Sequence, residues 1–97
     1  MSYQKFIFIG NATGAAKVEK PEGKTAYADF TVAVSRNRDE ADFFPVRVFG
    51  PQAEAAAKID KGARVLVEGR VEINRFTPEE GEPRLTIRVL GSTVSRL

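Results

Sequence analysis

The 97-residue sequence contains no cysteine, no histidine, no tryptophan and a single methionine. Each gap removes a class of chemistry. Without cysteine there is no disulfide, thiolate nucleophile, iron–sulfur cluster or cysteine-ligated zinc. Without histidine there is no imidazole to act as base, nucleophile partner or metal ligand. Long hydrophobic runs are missing as well. The apolar stretch at the N-terminus, Phe6 to Ile9, is far too short for a signal peptide or a membrane span. The chain is therefore expected to be a soluble cytosolic protein without catalysis, cofactor or metal. Neither sign of charge dominates: 15 Lys+Arg stand against 13 Asp+Glu, a formal net charge of +2. What matters is where those charges fall.

Glycine and proline divide the chain into five extended runs and one helix. The first run, Tyr3 to Ile9, is bounded by Gly10-Asn11. The second, Ala26 to Ser35, puts Ala28, Phe30, Val32 and Val34 on one face. The third is Phe43 to Phe49, closed by Gly50. In the fourth, Val65, Val67, Val71 and Ile73 alternate with Arg64, Glu68, Arg70, Glu72 and Asn74. The fifth sets Leu85, Ile87 and Val89 opposite Arg84, Thr86 and Arg88. Such period-2 alternation predicts strands with one buried face. Between the third and fourth runs, Pro51 to Gly62 is alanine-rich, with proline at a first helical position and glycine at a stop. The order β-β-β-α-β-β is that of the OB-fold, an all-β, five-stranded Greek-key barrel with its helix between strands three and four. Gly69, inside the fourth run, suits a barrel corner. A sheet with a packed helix and another connectivity would give the same pattern. The barrel reading makes residues 3–95 one domain.

The third run carries the first functional signal. If Phe44, Val46 and Val48 are core, then Phe43, Arg47 and Phe49 form an aromatic-basic-aromatic row outside. The outward parity of the fourth run passes through Arg64 and Arg70 and ends at Phe76, directly after Arg75. Arg84 and Arg88 add positive charge across that hairpin. Phenylalanine rings stack on any base while adjacent arginines neutralise phosphates, so the pattern suits single-stranded nucleic acid. Exposed aromatics mark protein interfaces too, and the same rings could pack beneath loops. Acid collects elsewhere: Asp39, Glu40 and Asp42 in one loop and Glu79, Glu80 and Glu82 in another hold six of the 13 acidic residues. The segment Lys17 to Lys24 reads as a mixed-charge solvated loop or hairpin. Pro45 marks an edge or a break in strand pairing. No phosphate-binding glycine motif is present, and Gly10 to Gly14 reads as a turn.

Taken in order, several segments resemble the bacterial single-stranded DNA-binding protein family. They are Phe6-Ile7-Phe8-Ile9-Gly10-Asn11, Ala28 to Ser35, Phe43-Phe44-Pro45-Val46-Arg47-Val48-Phe49-Gly50, Ala53-Glu54, and Lys61 to Arg70. The resemblance implies an OB-fold that coats single-stranded DNA in replication, recombination and repair. It implies a homotetramer or a dimer, and a cytoplasmic, nucleoid-associated location. Family stacking aromatics match at Phe43, Phe49 and Phe76, and basic positions at Arg75 and Lys61. A position that often holds an aromatic holds Arg38 here. The flexible acidic tail that recruits partner proteins in many members has no counterpart before Leu97, so tail-mediated partners are not expected. Tyr3, Lys5, Ile7 and Ile9 are the expected subunit-pairing residues, although the same strand could serve the barrel's own core. A protein-interaction module of the primosome-accessory kind, or a cold-shock-type RNA binder, would use the same aromatic face.

Overall fold

In the computed structural model, which describes residues 1–97, six strands and one short helix follow in order. These are β1 (Phe6–Ala12), β2 (Lys17–Glu19), β3 (Tyr27–Ser35), β4 (Ala41–Phe49), α1 (Pro51–Ala56), β5 (Arg64–Phe76) and β6 (Arg84–Arg96). The strands form one sheet in the order β1-β5-β6-β4-β3-β2, and a β1–β3 pairing closes it into a barrel. All neighbours are antiparallel except β4 and β6, which run parallel over Val46–Val48. This is the OB-fold expected from the sequence.

Its interior is built by parity. Phe30 and Val32 of β3, Val46 and Val48 of β4, Val65 and Val67 of β5, and Val89 and Val94 of β6 are all buried. Phe6, Phe8 and Phe44 form a three-ring cluster with centroids 5.0–5.3 Å apart. Such pairs add to the burial of their surface. The helix contributes Ala53 and Ala56, whose small side chains let it lie close on the barrel, and Ile59 follows it into the core.

Four boundaries differ from the sequence reading. The first strand runs from Phe6 to Ala12 rather than from Tyr3 to Ile9. Gly10-Asn11 does not end it, because Gly10 is where β1 passes from β5 to β3. A Cβ there would stand 2.3 Å from the Ala33 carbonyl oxygen, so the glycine serves close approach rather than a turn. The mixed-charge segment contains the short strand β2, paired with Tyr27–Asp29, so the helix lies between the fourth and fifth of six strands. The helix itself stops at Ala56, and i→i+3 bonds from Lys58 to Ala55 and from Ile59 to Ala56 tighten its exit. The fifth run is only the first half of β6, which continues to Arg96.

One assignment of side chains also changes. Ile73, Leu85 and Ile87 were expected to be buried, yet each is about half exposed. The β5–β6 hairpin stays paired from Val65↔Arg96 to Phe76↔Arg84, with one register shift between Glu68 and Gly69, while β4 pairs with β6 only at Val46–Val48. The far half of the hairpin is therefore a two-stranded arm extending past the barrel. Its alternation persists, but no neighbouring layer remains to cover the apolar side.

Candidate nucleic-acid interface

The outer surface of β3, β4, β6 and β5 is continuous. Cross-strand register sets Tyr27 opposite Phe49, Asp29 opposite Arg47, Thr31 opposite Pro45, and Ala33 opposite Phe43. It then sets Arg47 beside Leu90, and on the arm it pairs Arg70 with Leu90, Glu72 with Arg88, Asn74 with Thr86, and Phe76 with Arg84. Directly opposed residues in a sheet share a face. Phe43, Phe49 and Phe76 therefore point outward, 63%, 46% and 48% exposed. Phe43 and Phe49 lie six residues apart on one strand, about 20 Å.

The expected basic residues divide into two groups. Arg47 is bound to Asp29 by a fork, Nε to Oδ1 at 2.7 Å and Nη2 to Oδ2 at 2.8 Å. Its guanidinium also lies over the Tyr27 ring, 4.2 Å from the centroid. Its hydrogen bonds to Asp29 raise the Arg47 pKa further above its ordinary value. Arg88 donates from Nη2 to Glu72 Oε1 at 2.5 Å. Asn74 and Arg88 together hold the Glu72 carboxyl below the usual carboxylate range. These two arginines are already compensated. Arg38, Arg70, Arg75, Arg84 and Lys61 make no ion pair. Arg38 lines a surface hollow together with Phe43.

Two expected contributors sit away from the phenylalanine row. Arg64 lies with Asn11, to which it donates at 3.3 Å, on the outer side of the β1–β5 pair. Arg75 points to the opposite side of the arm from Phe76, among Leu85, Ile73 and Ile87. In the acidic loop, Arg36 holds Asp42 at 2.8 Å and Glu40 at 3.8 Å. The Asn37 side chain accepts from the amides of Asp39 and Glu40, both at 3.0 Å. Most of that loop's acid is thus internally satisfied.

With this geometry in hand, comparison with known proteins is decisive. The family described as the Single-strand binding protein family matches residues 3–97. The chain belongs to that family. Among its relatives are Single-stranded DNA-binding protein 3 of Clostridium acetobutylicum, 33% identical over 100 residues, covering 96% of this chain and 69% of the relative. Single-stranded DNA-binding protein 2 of the same organism is 34% identical, covering 96% and 75%. The Single-stranded DNA-binding protein of Thermotoga maritima is 31% identical, covering 95% and 72%. No helix is long and apolar enough to cross a membrane.

Tyr27 and Gln4 are the residues sequence reasoning missed. Tyr27 shares outward parity with Asp29 and Thr31, and its ring lies 6.1 Å from that of Phe49. That parity was the available signal. Gln4 donates to the Val71 carbonyl at 3.2 Å and accepts from its amide at 3.0 Å. It pins the chain ahead of β1 to β5, so that Tyr3, Lys5, Phe49 and Arg70 line one groove of about 530 Å³. Tyr3 thus shares a groove with Phe49. No sequence pattern announces that clamp.

The Glu72–Arg88 pair makes a pH-dependent prediction. Because the folded Glu72 carboxyl titrates below its unfolded value, its contribution is present above the usual carboxylate range and is lost as pH falls through the folded value. Wild type is expected to exceed Glu72→Gln in urea midpoint at neutral pH, and the gap should narrow steadily as pH falls through and below the usual carboxylate range. A gap that does not change with pH on acidification would refute the assignment.

Proposed function

We propose that the chain binds single-stranded DNA with little sequence preference, stacking bases on Phe43, Phe49 and Phe76. Arg38, Lys61, Arg70 and Arg84 neutralise phosphates along the path, with Arg64 and Arg75 at its margins. Arg47 and Arg88 shape the surface through their carboxylate partners and add less charge than their number suggests. The observation that carries this reading is the set of three exposed phenylalanines on one outer surface, together with Arg70 and Arg84, which make no ion pair. A ring exposed to water gains from stacking on a base without any requirement for a particular base. Membership of the Single-strand binding protein family, and relatives named for single-stranded DNA binding, support it. The binding unit is residues 3–95, and it works without catalysis in replication, recombination and repair, in the cytoplasm at the nucleoid.

The test is an anisotropy titration of fluorescent oligo-dT at two salt concentrations. Binding is expected at micromolar concentration or tighter. Log K should fall by about 0.7 per log[salt] for each phosphate neutralised. Salt-independent binding, or none, would overturn the proposal.

Homotetramer assembly, or a dimer as its smaller form, belongs to the same reading. Ile7 and Ile9 are exposed on the outer side of β1, opposite Glu68 and Leu66. Lys5 reaches Glu68 at 3.6 Å. Beyond the two pairs Asn11↔Ala33 and Ala12↔Val32, the second edge of β1 carries no strand. An unpaired edge with an apolar outer face favours pairing with another chain. Ile7→Asp with Ile9→Asp is expected to reduce the mass measured by light scattering while circular dichroism stays unchanged. An unaltered mass would exclude this strand as the interface.

A further inference from the structure

We propose that a cleft on the DNA-facing surface reads one base and favours guanine. The inference rests on the single-stranded DNA reading above and adds to it a single position of base preference. The cleft, about 420 Å³, lies between the β1–β2 turn at Thr13–Ala15 and the outer surface of β3, β4 and β6. That volume has room for a base. The turn is tied in place, since the Thr13 amide and Oγ1 both donate to the Thr31 carbonyl, at 2.9 and 3.3 Å. Exposed Pro45 provides a flat apolar surface in the cleft, against which a base can lie.

The polar groups of the cleft are fixed and incompletely used. Arg47 spends Nε and Nη2 on Asp29, which leaves its Nη1 donors free. The Asp29 carboxylate accepts those two bonds and keeps lone pairs for more. Tyr27 beneath the guanidinium sets its plane. Arg88 reaches the cleft from β6; it gives Nη2 to Glu72, while its Nε is buried with no partner. Across the strands the order is Asp29, Arg47, Arg88, so the cleft offers a carboxylate on the β3 side and two guanidiniums beside it, with Nη1 of Arg47 free to donate. This is an arrangement for hydrogen bonding rather than for phosphate charge, because each guanidinium already has a carboxylate.

Guanine matches that set on both sides. Its O6 and N7 are adjacent acceptors, the pair that arginine takes most often. Its N1–H and N2 amine are adjacent donors, which suit a carboxylate. Thymine places the acceptor O2 where guanine has the N2 amine, so it would set one acceptor against the Asp29 carboxylate. Adenine and cytosine offer the carboxylate one amine only.

The experiment titrates the full chain with fluorescent oligo-dT and with the same oligomer carrying one central dG, deoxyinosine or 7-deaza-dG. Deoxyinosine lacks the N2 amine and the 7-deaza base lacks N7, while both keep the fused ring. The dG oligomer is expected to bind about fivefold or more tightly than oligo-dT. Deoxyinosine and 7-deaza-dG should lose most of that gain, and Asp29→Asn should bring the dG-to-dT ratio to about one. Equal affinity for all four oligomers would overturn the cleft assignment and leave the DNA-binding reading standing. A dG gain retained in full by both analogues would mark simple stacking and overturn it as well. Failure to bind oligo-dT at all would overturn the underlying reading, and this inference with it.

Discussion

Replacing Phe43, Phe49 and Phe76 together by alanine is expected to weaken oligo-dT binding by about a hundredfold or more. Each base–aromatic stack is worth about 1–3 kcal/mol. Three lost stacks at the lower bound already pass two decades, since about 1.4 kcal/mol is one decade of affinity. The fold should tolerate the change, because all three rings stand in solvent on the outer surface. Thermal midpoint and circular dichroism should therefore stay near wild type while anisotropy collapses. The single variants should differ: Phe43 and Phe49 lie on the barrel wall, whereas Phe76 is carried on the projecting arm. The absence of tryptophan means that the readout must come from a labelled oligonucleotide or from Tyr3 and Tyr27. A triple variant that binds like wild type would remove stacking as the source of affinity.

Gly69→Ala is expected to be among the most damaging single substitutions in the chain. A Cβ at Gly69 would stand 2.2 Å from the Leu90 carbonyl oxygen and 2.9 Å from the Gly91 Cα. Both obstacles are backbone, so no side-chain rotation relieves the clash. The register shifts between Glu68 and Gly69, where β5 leaves the barrel wall for the arm, so the strain falls on the joint between them. A loss of about 3 kcal/mol is expected, at the upper end of overpacking costs. For a domain of this size that lowers the thermal midpoint by about 12–24 °C. Gly14→Ala is the matching control, since an added Cβ there would meet nothing within 4 Å. A Gly69→Ala protein as stable as that control would show that β5 and β6 are not pressed together at this point.

The two predictions draw on features of unequal visibility in the sequence. The phenylalanine row was legible because β4 alternates strictly: once Val46 and Val48 are taken as core, Phe43 and Phe49 have to face out. Gly69 was legible as an interruption in a good strand. Gly10 misled, because a glycine needed for close backbone approach and one needed for a turn look alike until the neighbouring strand is known. The exposure of Ile73, Leu85 and Ile87 was hidden for a related reason. Alternation reports which residues share a face, and it does not report where the covering layer ends. The pairs Arg47–Asp29 and Arg88–Glu72 depend on cross-strand register between residues 18 and 16 positions apart. Counting arginines on a face overstated its free charge for that reason. Tyr27 escaped notice because its importance comes from the guanidinium above it and the Phe49 ring beside it, neither of which is near in sequence.

The Gln4 clamp has a practical corollary. By bonding both polar groups of the Val71 backbone, a side-chain amide acts as a surrogate peptide unit and fastens the start of the polypeptide against β5. The three residues ahead of it are consequently tethered at the mouth of the groove lined by Phe49 and Arg70. The opposite terminus is anchored elsewhere, where the Leu97 amide donates to the Arg64 carbonyl at 2.8 Å. An affinity handle or fluorophore joined ahead of Met1 would emerge beside Phe49 and Arg70, where it would compete with DNA on the proposed path. One joined after Leu97 would leave from the far end of β5, with Phe49 and Phe76 unobstructed. The two ends of this small barrel are therefore not equivalent as attachment points.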